Sequence, residues 1–469
     1  MVSLIKKHRF FVLLSVLFIL LRLPSLFEPY WYGDEGIYLT LGQAINHGVV
    51  LFRQIHDNKP PSLYYLAAFA QTVFGFRLLL SLFMIPSIYF FYKISKEFLS
   101  IKSSQIATLI FLILTSTPLF EGNIANAEIF MIFPTLLGVY LYLVKKSYLY
   151  TGLLLGLAFT IKVPVAVELL FLVIWVFFIQ KPFKILPPLK LGIGFTIPIV
   201  LWSIYFIFQN AFSEFLFASL LQNFGYLSSW STGSHSGSAT QGGLVTRLIF
   251  LLIYWLVVYL LYRKKILNQK ITFVLGWFAA TVFGALLSSR PYPHYLIQLL
   301  PPLSLLLVQI NLPIIITILV TIFLIIFKYK FYFYPVFGYY QNFYQYALHQ
   351  KSQNDYRRFF GWGVNDVYQI AEFIKTNSTS SDRIFIWGDE PYIYPLSNRL
   401  PVSKYTVAYH VADFNQYRQT FESIKTSLPK FIVYYSQPNR PFSDLDQFIA
   451  KFYHLRQTVG QGLIYEINQ

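Results

Sequence analysis

Apolar runs of membrane-crossing length recur along the first two thirds of the chain, and they constrain its fold more than any other feature. Phe10–Leu21, Ile106–Leu114, Leu136–Val144, Ile193–Phe208, Leu248–Leu261 and Ile314–Phe327 stand between charged or Gly/Pro-rich breaks. Helices of about 15–20 residues span a hydrocarbon core of ~30 Å, the shorter ones with tilt, thinning or burial inside a bundle. Only 12% of the residues are charged, against about a quarter in soluble domains. Mean hydropathy is +0.52. These values predict a polytopic α-helical membrane protein.

The net charge of +17 raises nucleic acid as a partner, and its distribution removes it. Residues 1–327 hold 22 of the 37 bases but nine of the 20 acids, while the tail is nearly balanced. Spans are expected at about 10–26, 76–92, 105–120, 127–144, 150–161, 164–179, 191–208, 244–262, 271–287, 295–309 and 313–327, roughly eleven crossings. With a cytoplasmic N-terminus, the inner loops collect Lys93, Lys96, Lys102, Lys145, Lys146, Lys264, Lys270 and their neighbours against one acid, Glu97. Glu28, Asp34, Glu35, Asp57, Glu121, Glu128 and Glu214 fall outside. That asymmetry follows the positive-inside rule and puts the C-terminal region on the extracytoplasmic side; a bacterial plasma membrane is the expected location. Lys6, Lys7 and Arg9 before the first run resemble a signal peptide, but the run is long and Arg22-Leu23-Pro24-Ser25 lacks a small-residue cleavage pattern; a retained helix is expected. Cysteine is absent, which excludes disulfides and thiolate chemistry.

Three regions are expected: a membrane domain over 1–327, whose first outer loop (28–75) carries the chemistry; an aromatic interfacial linker over 328–350; and a small extracytoplasmic α/β domain over 351–469. In the last, Val367, Ile370, Ala371 and Ile374 mark a helix, Arg383–Trp387, Lys430–Tyr435 and Leu463–Ile467 read as strands, and Ser443 reads as the N-cap of a helix through Lys451.

In the first outer loop, Tyr32-Gly33-Asp34-Glu35-Gly36-Ile37-Tyr38 opens an amphipathic helix that Gly48 ends, and His56-Asp57-Asn58-Lys59-Pro60-Pro61-Ser62 leads into the next. Acids at a helix start favour its dipole, so the pair alone says little. Two ionisable clusters brought to a lipid surface say more, because uncompensated charge there is costly. A second outer segment, Glu121-Gly122-Asn123-Ile124-Ala125-Asn126-Ala127-Glu128, and Ser288-Ser289-Arg290-Pro291-Tyr292-Pro293-His294-Tyr295 before a late span add charge on the same side. Glu168, a turn inside a span, needs a partner, and Lys162 on the same hairpin is the obvious one.

The Asp-Glu pair after the first span, the downstream Asp-x-Lys-Pro-Pro, the Glu of the second outer loop and the Arg-x-x-x-His-Tyr resemble the membrane glycosyltransferases of the protein O-mannosyltransferase and aminoarabinose-transferase group, which have the GT-C fold. The tail segments Asp382–Gly388 and Pro429–Val433 are similar to the soluble domain of bacterial members. The resemblance implies a polyprenyl-phosphate-linked sugar as donor, inversion at the anomeric carbon, and a glycan, lipid or protein as acceptor. It implies Asp34 as general base and Glu35 as a positioning group. Arg290 and Lys59, then Lys162 and Arg53, are the outer-side bases for the donor phosphate, Arg being the better geometric match to its oxygens. Asp57, Glu128, His294, Tyr295 and Tyr38 are donor or acceptor pocket residues. A divalent cation among Asp34, Asp57 and Glu128 is chemically admissible. Ser228–Gly243, with Trp230 and His235, reads as a lid over the site or as a plain linker. A transporter or flippase and a non-catalytic scaffold are the rival readings; a transporter is expected to show repeated halves, and no internal repeat is present.

Overall fold

The structure, a computed structural model, describes residues 2–179, 184–222, 242–287, 290–309, 316, 320, 322–324, 326–328 and 330–468. The chain divides into two compact units. One comprises Met1–Ser25, Arg77–Tyr205 and Ser219–Val336; the other comprises Leu26–Phe76, Phe206–Ala218 and Phe337–Gln469.

The first unit is helical. Among the described residues, five helices are long and apolar enough to cross a membrane: Arg9–Phe27, Val73–Phe98, Ala127–Lys145, Leu186–Phe208 and Val245–Arg263. Shorter apolar helices at Ile101–Ser116, Tyr148–Phe159 and Val163–Phe178 stand where spans were expected, as do helices Gln269–Ala285 and Leu300–Leu306. The expected span at 313–327 lies largely outside the described residues. Large apolar side chains face outward along these helices, among them Leu201, Phe208 and Phe250. A helix apolar all round with such an exposed surface belongs in lipid, and the chain is an integral membrane protein.

Lipid supplies no hydrophobic force between helices, so close backbone approach matters. Gly152 and Gly156 form a G-x-x-x-G face on Tyr148–Phe159. A Cβ at Gly152 would stand 2.1 Å from the carbonyl oxygen of Leu191, and one at Gly194 would stand 2.1 Å from that of Leu149. Only glycine permits the contact.

The second unit is built on a five-stranded sheet: β1 (Arg383–Trp387), β2 (Leu400–Pro401), β3 (Phe431–Tyr435), β4 (Tyr453–Val459) and β5 (Gly462–Ile467), in the order β2-β1-β3-β5-β4. The first three run parallel, and β5 pairs antiparallel with β3 and β4. Both faces are covered, which is why β1 and β3 are continuous apolar runs. Ile384, Ile386, Phe431 and Val433 pack on one side with Ile370 and Ile374 of helix Val364–Asn377. Phe385, Trp387 and Ile432 pack on the other with Leu445 and Ile449 of helix Ser443–Phe452.

The strands at β1, β3 and β5 and the helices beside them stand where their patterns placed them. Ser443 is the first residue of its helix; Phe442 takes the preceding position and no side chain caps the end. Within the segment read as a linker, Val336–Ala347 is a helix that buries Tyr339, Asn342 and Phe343. The first outer loop belongs to the same compact unit as the sheet, whereas its sequence position suggested grouping with the spans.

Candidate active site

Two clusters of ionised side chains emerge, one in each unit. The cluster of the sheet-bearing unit begins at helix Gly33–Asn46, whose first turn carries Asp34 and Glu35. Neighbouring residues on a helix face different ways, and the pair separates accordingly. Asp34 is part open, its side chain 28% exposed. Glu35 is 1% exposed. Tyr38, one turn on, donates its hydroxyl to Asp34 Oδ2 at 3.0 Å.

Lys59 bridges two carboxylates. Its Nζ lies 3.5 Å from Asp34 Oδ2 and 3.8 Å from Asp57 Oδ2, and 4.9 Å over the ring of Tyr38. The backbone N–H of Lys59 donates to the Tyr64 hydroxyl at 3.0 Å, and that of Asn58 donates to Asp57 Oδ1 at 2.7 Å. Pro60 and Pro61 then deliver the chain to helix Ser62–Ala70. Burial of Asp57 opposes its ionisation, but Lys59 and then His410 outweigh it and hold the carboxyl below the ordinary aspartate range. His410 Nε2 stands 3.7 Å from Asp57 Oδ1. Burial pushes this imidazole down from its ordinary value, with Asp57 pulling the other way.

His410 comes from helix Ala408–Asp413, far along the chain, and was not legible as a site residue. The same stretch braces the loop: the His56 N–H donates to the Lys404 carbonyl at 2.9 Å, and the His56 ring packs on Tyr405 and Phe414. Helix Gly33–Asn46 is braced similarly, Thr40 donating to the Pro391 carbonyl at 3.0 Å. Gly36 is required there, since a Cβ would meet the ring of Tyr392 at 2.5 Å. Arg53 is turned elsewhere, to the Gln209 carbonyl at 3.5 Å.

The cluster of the helical unit draws on three distant segments. Glu121, fully buried with φ of 57°, hydrogen-bonds Nδ1 of His294. His294 Nε2 is 4.0 Å from Glu128 Oε1. Lys162 Nζ completes the chain at 2.6 Å from the same oxygen and lies 5.0 Å over the ring of Tyr295. Tyr292 stacks on His294 with ring centres 5.6 Å apart. Arg290 lies on the segment that carries these aromatic residues, just before the turn Pro293–Leu299.

The expected Lys162–Glu168 pair does not form. Lys162 goes to Glu128, and Glu168 accepts from Trp277 Nε1 at 2.7 Å and Gln298 Nε2 at 3.0 Å. Two neutral donors satisfy that carboxyl without a cation, and the spacing on the hairpin gave no sign of them. Trp230 and His235 lie outside the described residues. Among the described residues, no group of three or more His, Asp and Glu side chains is arranged to hold a metal. Asp34 and Asp57 share Lys59, and Glu128 has Lys162. Each carboxylate of the expected cation set thus faces an ammonium group.

No family model matches the sequence, and neither does any curated protein. Solved structures do match. ArnT from Cupriavidus metallidurans bound to undecaprenyl phosphate superposes with a TM-score of 0.59 at 12% identity, covering 98% of either chain. Its apo form matches equally. The apo oligosaccharyltransferase of Archaeoglobus fulgidus gives a TM-score of 0.50 at 12% identity, over 92% of this chain and 70% of that one. Likeness at such low identity speaks to architecture: the chain is an integral membrane protein with the GT-C fold that its sequence motifs resemble.

Proposed function

We propose that the protein is an inverting glycosyltransferase that moves a sugar from a polyprenyl-phosphate carrier to a glycan, lipid or protein acceptor at the extracytoplasmic membrane face. The observation that carries this reading is Asp34: a part-open carboxylate on a helix N-terminus, beside an ammonium group that a buried second carboxylate holds in place. Neighbours of the same fold support the donor class, since ArnT is described with undecaprenyl phosphate bound.

In the proposed step, Asp34 takes the proton as the acceptor O–H bond breaks. The acceptor oxygen bonds to the anomeric carbon from the face opposite the leaving group. The bond from that carbon to the phosphate oxygen breaks, and its electron pair leaves with the phosphate. No acid is needed, because a lipid phosphate departs as a stabilised anion. The Lys59 ammonium group stands 3.5 Å from Asp34 Oδ2, and Asp57 holds Lys59 against that first-turn carboxylate. Within the unit that carries Asp34, Lys59 is the base assigned to the phosphate, Arg53 is a remote second, and Tyr38 and Glu35 are assigned to positioning. The buried position of Glu35 makes its part in this structural, in holding the helix that presents Asp34.

The test is transfer by purified protein from radiolabelled polyprenyl-phosphate sugars to a membrane or cell-wall extract. Activity that vanishes in Asp34→Asn, with thermal unfolding unchanged, supports the proposal. Full turnover by that variant would falsify it.

A further inference from the structure

We propose that the helical unit carries a binding site for an anionic phospholipid at the basic end of its bundle, with none of the residues of that unit's charged cluster in its lining. A pocket of about 340 Å³ opens there, lined by Lys146, Lys270, Glu97, Tyr142, Trp175 and Phe273 among others. That volume falls within the ~300–1,000 Å³ range of small-molecule sites. The charged lining residues, Glu97, Lys146 and Lys270, come from segments that the charge pattern assigned to one face, and the structure brings them together at one pocket with the ends of the neighbouring helices.

Three sources of positive potential converge. Lys146 follows a π-helical turn, Leu141–Lys145, and its φ of 52° redirects the chain at the pocket. Single π turns of this kind concentrate at functional sites. Lys270 lies in the first turn of helix Gln269–Ala285, where the macrodipole adds partial positive charge. Among the described residues neither ammonium group is ion-paired. Glu97 is the single acid in the lining, so the lysines outnumber it. Two ammonium groups against one carboxylate leave a positive site at a membrane surface, which favours a phosphate.

What makes the ligand a lipid is the apolar surface beside the pocket. Trp175 also lines a narrow, largely apolar groove with Phe171, Phe178, Trp255 and Tyr259. Phe178 is 37% exposed, and its ring stacks on Tyr259 at 4.8 Å. The groove runs between helices whose outer surfaces are apolar, so a headgroup among the lysines leaves an acyl chain against aromatic rings. A free anion makes no use of that groove.

The full-length protein, purified in detergent, is to be mixed with phosphatidylglycerol or phosphatidylcholine and the retained lipid counted by native mass spectrometry. The protein retains the anionic lipid preferentially, and Lys146→Ala with Lys270→Ala reduces that preference by about tenfold to thirtyfold, the scale of two juxtamembrane cations. Lys102→Ala with Lys264→Ala, two exposed bases outside the lining, leaves the preference intact. Phe178→Ser, which removes a partly exposed ring of the groove, weakens retention of the lipid with thermal unfolding measured alongside. Inorganic phosphate in excess does not displace it. An unchanged preference in the Lys146 and Lys270 variant, an equal loss in the control variant, or displacement by inorganic phosphate overturns the proposal, the last by showing a site for free anions.

Discussion

The two ionised clusters are assembled in opposite ways. Asp34, Asp57 and Lys59 lie within 26 residues of one another, and the loop that carries them needs two helix starts to bring them together. Glu121, Glu128, Lys162 and His294 span more than 170 residues and meet only because separate helices pack. The former keeps a carboxylate part open. The latter is closed: Glu121, Glu128 and His294 are all at most 4% exposed. An open carboxylate beside a cation is free to exchange a proton with a ligand, whereas a closed network must satisfy itself first, and so it contributes more to holding the bundle together.

The sharpest way to break this contrast is at Asp34. Asp34→Asn keeps the side-chain volume and removes the base; transfer activity is expected to fall by roughly 10²–10⁴-fold, the usual worth of general base catalysis, with thermal unfolding in detergent unchanged. A stability loss without an activity loss would reverse the roles assigned to the clusters.

The buried cluster predicts the converse. Lys162→Met strands Glu128 in the bundle without its ammonium partner, and removing one member of a buried pair costs about 3–5 kcal/mol. Thermal unfolding should drop steeply, and Glu128→Gln added to Lys162→Met should restore most of it. If the double variant is no more stable than the single one, the pair is not what Lys162 supplies.

A smaller effect tests how the sheet-bearing unit presents Asp34. Gly36→Ala pushes a methyl group into the ring of Tyr392, an overpacking expected to cost about 1–3 kcal/mol. Activity should fall with it, because the residue lies in the turn after Asp34. Unaltered unfolding would show that Tyr392 yields.

The mildest prediction concerns pH. His410 has a folded-state value below its ordinary 6.5, so between those two values the unfolded chain binds the extra proton. Stability therefore falls as pH drops below about 6.5, at no more than ~1.4 kcal/mol per pH unit from this group. Asp57, with a lowered folded value, adds stability that is present above the ordinary aspartate value and is lost as pH falls through the folded one. His410→Asn should flatten the first of these slopes and, by removing one of the two cations that hold Asp57 down, move the acid limb to higher pH without abolishing it, since Lys59 remains.

Local signals explain why the open cluster was readable. An acid pair at a helix start, a glycine with φ of 79° at position 48 closing the helix, and Lys-Pro-Pro opening the next are each consequences of neighbouring residues. Continuous apolar runs similarly announced β1 and β3, since parallel strands covered on both faces have no polar side. By contrast, β4 went unread: its residues from His454 to Thr458 are exposed and, apart from Leu455, polar, and pairing with β5 alone makes it a strand. His410 has no local signature either, because its only distinction is standing 3.7 Å from an aspartate 353 residues earlier in the chain.

The amino-acid order alone determined that the chain enters a membrane, which loops are basic, and that Asp34 stands at the start of a helix with Lys59 close downstream. These follow from transfer free energies and backbone preferences, which act over a turn or a span. Tertiary structure decided that Lys162 answers Glu128 instead of Glu168, that His410 reaches Asp57, and that Lys146 and Lys270 share one pocket. A buried charge takes whichever partner packing brings within a few ångströms, and sequence separation does not enter that energy.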